Sequence, residues 1–155
     1  MAGSPEEVAY NEALRSITQQ QGVLDGLRSR AGTLFASASI ATSFLGGLAL
    51  QDTAVHGLGW VAVGAFVGMA LCSILILWPR WGWVFRLSAD DLVRDWVDER
   101  GTMDAMHRDL ALYLERHYQA NESKLGRLLI LFQVAAVLLV VEVVAWLFVL
   151  GGGAS

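Results

Sequence analysis

Charge is scarce in this sequence. Only 17% of its residues are Asp, Glu, Lys or Arg, against about 25% in a soluble domain. Lys and Arg number 11 against 15 acidic residues, a formal net charge of −4. Nucleic-acid binding rests on clustered basic residues that neutralise phosphates, so that class of partner is excluded. Cysteine is nearly absent too. Cys72 stands alone, which rules out an intramolecular disulfide, and no Cys/His set has zinc spacing. In its apolar run Cys72 reads as a small packing residue. No Gly-rich phosphate loop, Ser/His/Asp arrangement or nucleophile motif is visible, so the expectation is a non-enzyme without cofactor or metal. The chain is also too short for a second domain of any size.

Apolar residues, in contrast, make up 55% of the chain, and they are concentrated. Residues 31–50 and 58–79 carry no charge, and 128–150 is interrupted only by Gln133 and Glu142. A helix needs about 20 largely apolar residues to cross a hydrocarbon core of about 30 Å. Each run must satisfy its own backbone in lipid, and the chain has no set of alternating strands to close a barrel. The expected fold class is therefore an all-α integral membrane protein, one unit with three transmembrane helices. The opening thirty residues do not read as a cleavable signal peptide, because Glu6, Glu7 and Glu12 precede Arg15.

Orientation follows from the basic residues. Arg15, Arg28 and Arg30 precede the first run. Arg80, Arg86, Arg94, Arg100, Arg108, Arg116, Lys124 and Arg127 lie between the second and third. The loop 51–57 and the tail 151–155 have none. The positive-inside rule puts 1–30 and 80–127 in the cytoplasm and the loop and tail outside. This is the layout of a multi-pass protein of a bacterial inner membrane. Trp78, Trp81, Trp83 and Phe85 mark one end of the second run. Trp60 and Trp146 lie near the outer ends, where indole rings favour the interface.

The cytoplasmic parts read as helices. Ser4-Pro5-Glu6-Glu7 supplies a cap, a first-turn proline and an acidic third residue. Val8, Leu14, Ile17, Leu24 and Leu27 form a loose stripe, with a bend expected near Gly22 and Gly26. Pro79 ends or kinks the second run. A short helix starts at Ser88 and stops at Gly101. Thr102 caps another, with Met103, Met106, Leu110, Leu114, His117, Asn121, Leu125 and Leu128 at spacings of three or four. It runs unbroken into the third span and, at about 1.5 Å per residue, extends well beyond the bilayer. Its stripe needs cover, from the N-terminal helix or from another subunit.

Within the spans, Glu142 stands out. It lies roughly 22 Å beyond Arg127, and a central carboxylate costs at least about 2.5 kcal/mol by insertion scales. Three readings stand side by side: a proton or ion site or a polar contact that sets assembly; a protonated carboxyl hydrogen-bonded to a neighbouring helix; and a shallow position near the outer interface, since Trp146 is four residues on. Ser39, Thr42, Ser43 and Gly46 share an arc of roughly 100° on the first span, with Thr42 and Ser43 near the depth of Glu142. Gln133 is shallower. The ladder Ser39, Ser43, Gly47 and the ladder Gly64, Gly68, Cys72 permit close helix contact, within a monomer or between copies.

Other polar groups read as bland. Asp90, Asp91, Asp95, Asp98 and Glu99 sit among Arg86, Arg94 and Arg100 and form a solvated helix face rather than a metal site. His56, His107 and His117 are too dispersed to act together.

The stretch Leu24-Asp25-Gly26-Leu27-Arg28-Ser29-Arg30-Ala31-Gly32-Thr33-Leu34, running into Ser39-Ile40-Ala41, resembles the opening of small bacterial membrane proteins. Among these are the transmembrane effectors of Pycsar anti-phage systems. The layout is also similar to that of SLATT effectors: a polar N-terminal helix, a helical hairpin and a cytoplasmic helical part. Asn121-Glu122-Ser123-Lys124-Leu125 before the last span resembles actinobacterial proteins of unknown function. The resemblance implies an effector that impairs the inner membrane when a nucleotide second messenger is made. This chain departs from direct sensing, having no cyclic-nucleotide pocket of its own.

The leading expectation is a self-associating, non-enzymatic inner-membrane protein that permeabilises the membrane in anti-phage defence. Two alternatives stay open. One is an anchor whose cytoplasmic helices bind a protein partner. The other is a small ion or proton transporter using Glu142.

Overall fold

A computed structural model describes residues 4–52, 57–78, 83 and 102–152 of the chain. Among these residues the chain is all helical, with no strand. Helix α1 spans Pro5–Ala41, and a π-helical turn follows at Thr42–Gly46. Then come α2 (Gly47–Asp52), α3 (Leu58–Leu77) and α4 (Met103–Gly152). Three helical stretches, Pro5–Ala49, Leu58–Leu77 and Met103–Gly152, are long and apolar enough to cross a membrane.

The helix ends follow local chemistry. Ser4 Oγ accepts the Glu7 N–H at 3.3 Å, and the Val8 N–H reaches the Ser4 carbonyl at 3.1 Å. Thr102 does the same for α4, accepting from Ala105 at 3.3 Å and from Met106 at 3.0 Å. Both side chains satisfy donors that have no partner inside the helix. Trp78 leaves the helical region at ψ 127°, as expected for a residue before proline, where the ring at Pro79 disfavours the α conformation. Gly57, entering α3, has φ +44°, a backbone state that side-chain-bearing residues rarely adopt.

No break occurs at Gly22 or Gly26. Both lie inside α1. Glycine lowers helix propensity by about 1 kcal/mol but does not remove a hydrogen bond, so the continuous helix on either side carries it. The π-turn was not expected, because nothing in Thr42-Ser43-Phe44-Leu45-Gly46 is a helix breaker. The expected helix from Ser88 to Gly101, its acidic face, His56, Trp81 and Phe85 lie outside the described residues.

The chain divides into two compact units, and α1 and α4 contribute to both. One comprises 1–25 and 80–126, the other 26–79 and 127–155. In the first, α1 and α4 run parallel: the Tyr10 ring stacks on His107 at 5.4 Å, and Gln20 Nε2 donates to the Tyr118 carbonyl at 3.1 Å. Ile17, Leu24, Leu110 and Leu114 are buried there. Leu110, Leu114 and Leu125 of the α4 stripe are thus buried within the chain, while Met103 at its start is exposed. Trp83, the described member of the tryptophan group beyond Pro79, sits 5.6 Å from Lys124 Nζ in a cation–π contact.

The second unit is a three-helix arrangement. Ala38, Met69 and Ala135 meet in one buried cluster, flanked by Phe35, Phe66 and Leu138. Ala49, Ala62, Ala145 and Trp146 meet in the other. The order of these contacts makes α3 antiparallel to the C-terminal part of α1 and to α4, which run parallel to each other. Cys72 borders the first cluster as a half-buried free thiol.

Candidate functional site within the three-helix unit

The π-turn places Thr42 against α4. Its hydroxyl donates to Glu142 Oε1. In a π-turn the backbone bonds reach five residues back rather than four. That shifts the phase of the side chains that follow. Thr42 and Gly46 both end up facing α4, while Ser43 turns outward and is exposed. Thr42 and Ser43 are the two edges of the expected arc, about 100° apart on a helix, so one faces α4 while the other is exposed.

Glu142 is fully buried, at 0% exposure. One turn further along α4 lies Trp146, at 2% exposure. Its indole lies against Gly46: a Cβ there would sit 3.2 Å from Trp146 Cζ2. A methyl there would make the ring give by a few tenths of an ångström. The expectation for Trp146 needs correction. It is not an interfacial ring but part of the core, held there by Gly46. The opposing Gly46 was the signal available in the sequence. Trp60 and Trp78, by contrast, are 66% and 62% exposed, as an interfacial position requires.

Two buried polar atoms at this site have no hydrogen-bond partner: Glu142 Oε2 and Trp146 Nε1. One is an acceptor, or an acid when protonated. The other can only donate. They lie on consecutive turns, so on the same face of α4.

The remaining candidate residues are dispersed. Ser39 is half-buried and its hydroxyl donates to the Phe35 carbonyl at 2.9 Å, so it serves its own helix. Gly68 faces α4, where a Cβ would meet Leu138 Cδ1 at 3.1 Å. Gly47 and Gly64 face open space. Gln133 lies exposed on the outer face of α4, among exposed Leu129, Ile130, Val134 and Val137. Among the described residues no group of three His, Cys, Asp or Glu side chains could hold a metal. His107 stacks on Tyr10, and His117 meets Tyr113 edge-on at 4.4 Å. Gln20 is a buried polar residue that the sequence did not mark, since it sits beside equally polar Gln19 and Gln21.

Comparison with family models, characterised proteins and solved structures finds no match for this chain.

Proposed function

We propose that this is a non-enzymatic, three-span protein of a bacterial inner membrane that works as an assembly of identical copies. Its N-terminus and the 80–127 segment face the cytoplasm, and its C-terminus faces outward. Membrane placement is supported by the outer faces. Ile40, Phe44, Val137, Val140 and Phe148 are each more than 60% exposed, and a contiguous apolar surface of this kind needs lipid or a partner.

Self-association rests on one observation: Gln133 is exposed in the middle of such a face. A primary amide in hydrocarbon lacks water to bond to, and polar side chains in spans bond across helices instead. An amide both donates and accepts, so the same residue on a second copy satisfies it. The function of such an assembly is to permeabilise the membrane in anti-phage defence, a reading that comes from the resemblance of residues 24–41 to immune effectors. Single-molecule photobleaching in lipid vesicles, with dye release alongside, tests both parts. Wild type should give multi-step bleaching and leakage, and Gln133→Leu should shift both toward the monomer and a sealed vesicle. Single-step bleaching of the wild type would end the assembly reading.

The anchor alternative has support of its own, since Val8, Leu112 and Met103 are exposed on the cytoplasmic helices. Leu14 is exposed as well, whereas Ile17, Leu24, Leu110 and Leu114 are already buried within the chain. A partner would therefore have to bind the exposed positions rather than the stripe as a whole.

A further inference from the structure

We propose that Glu142, with Thr42 and Trp146, forms an occluded proton-binding site within the spans, at which the carboxyl proton exchanges. The argument starts from what the site leaves open. A carboxyl that only tied helices together would have both oxygens engaged. Here Thr42 serves Oε1, and Oε2 has no partner. The neighbouring Trp146 Nε1 is equally unpartnered. A buried polar group left open is costly, and two occur one helical turn apart. The site is also built on a π-turn, a rare element that recurs at functional positions.

The surroundings decide which cation fits. Residues 31–50 of α1, the π-turn and α2 carry no titratable side chain, nor does the rest of 128–150 on α4. On α3 the only one is Cys72. No fixed positive charge therefore faces Glu142 from any helix packed on it. A metal cation would find three side-chain oxygens, the two of the Glu142 carboxyl and Thr42 Oγ1, with an indole N–H beside them. Hard cations take six or more oxygen ligands, so the donor set is too small. A proton needs only Oε2.

The two states each have a use for the open atoms. The acid carries its proton on Oε2. When the O–H bond breaks, the proton leaves to water and both electrons stay on the carboxylate. That anion keeps the Thr42 donor and has the unused Trp146 N–H one turn away. An ionisable group inside a span is functional by default when its partners allow both forms. This inference does not depend on self-association, because the three residues belong to one copy.

Infrared difference spectroscopy on the full chain in lipid vesicles tests it. Wild type should show the carbonyl band of a buried carboxylic acid. That band should shift on transfer to deuterium oxide and disappear reversibly as pH rises. Glu142→Gln should lose it. Thr42→Val, which keeps the side-chain shape, should retain the band but move its frequency and titration midpoint. A Gln133→Leu background should leave the titration unchanged, so failure of the assembly reading is separable. A wild-type band that neither exchanges nor titrates would leave a structural acid and overturn the proposal, as would absence of the band at every pH.

Discussion

In the unit formed by 1–25 and 80–126, the buried apolar side chains are Ile17, Leu24, Leu110, Leu114 and Leu125. In the unit formed by 26–79 and 127–155 they are mostly alanines: Ala31, Ala38, Ala49, Ala62, Ala65, Ala135 and Ala145. The second unit instead turns Ile40, Phe44, Val137, Val140 and Phe148 outward. Of its larger buried side chains, Leu27, Leu128 and Ile76 lie near the helix positions where the charged segments begin, while Met69 and Trp146 lie among the alanines. The contrast is the one the proposed membrane placement calls for. In water, burying a leucine is worth about 1.5–3 kcal/mol, so large side chains go inside. Among lipid tails that gain vanishes, and helices associate by close contact between small residues. One continuous helix, α4, carries both rules along its length.

The largest effect should come from the water-type core. Leu114 is 1% exposed, and Leu114→Ala should cost about 2–5 kcal/mol. Hydrogen exchange of the full chain in lipid nanodiscs reads this directly. Amides of 103–125 should lose protection while those of 128–150 keep theirs. Equal loss in both regions would mean a single cooperative unit and dissolve the comparison.

Next is the lipid-type core, where the damaging change is the reverse. Ala135 is fully buried between Ala38 and Met69, so Ala135→Leu overpacks and should cost about 1–3 kcal/mol. Val137, two residues on and 62% exposed, should tolerate Ala within about 0.5 kcal/mol. Denaturant midpoints in mild detergent compare the two. If Ala135→Leu proves neutral, close packing is not what holds these helices.

Much of this was legible in the sequence, for identifiable reasons. The caps at Ser4 and Thr102 and the unbroken α4 are local matters, decided by residues within a turn of each other. The three apolar helices follow from runs too long to misread. Pairing of Thr42 with Glu142 was reachable by counting depth along two spans. What escaped was rotation. A π-turn has no composition signature, and spacing alone did not say which edge of the expected arc, Thr42 or Ser43, faces α4. The burial of Trp146 depends on Gly46, 100 residues earlier, and its position near a span end suggested the interface instead. Gln20 escaped because its hydrogen bond to Tyr118 is a tertiary event among three consecutive glutamines.

Gln20 supplies the third prediction. Tyr118 lies inside α4, whose carbonyls already accept helix bonds, so the amide adds one net hydrogen bond of about 0.5–1.5 kcal/mol. Gln20→Leu should lower protection around Tyr118 by that amount or less, because it also removes the unpartnered Oε1. A loss as large as that of Leu114→Ala would show that a polar contact, not the aliphatic stripe, specifies the water-type unit.

The smallest effect separates the fold of one copy from contact between copies. Gly68 and Gly64 form one small-residue ladder on α3, yet they face different surroundings. A Cβ at Gly68 would press on Leu138, while one at Gly64 would meet nothing within 4 Å. In a single copy, Gly64→Ala therefore has only the backbone to act on and should stabilise α3 by about 0.5–1 kcal/mol. If the lipid-type rule extends across copies, Gly64 is where a second helix comes close, and the added methyl then holds it off. The two consequences have opposite signs and different readouts: a higher denaturant midpoint, and a smaller multi-step fraction in photobleaching. A rise in midpoint with unchanged assembly would place Gly64 against lipid and leave the Gln133 face of α4 as the contact between copies. A fall in assembly would bring α3 into that contact, and the small residues facing open space would then belong to the same packing rule as the buried alanines.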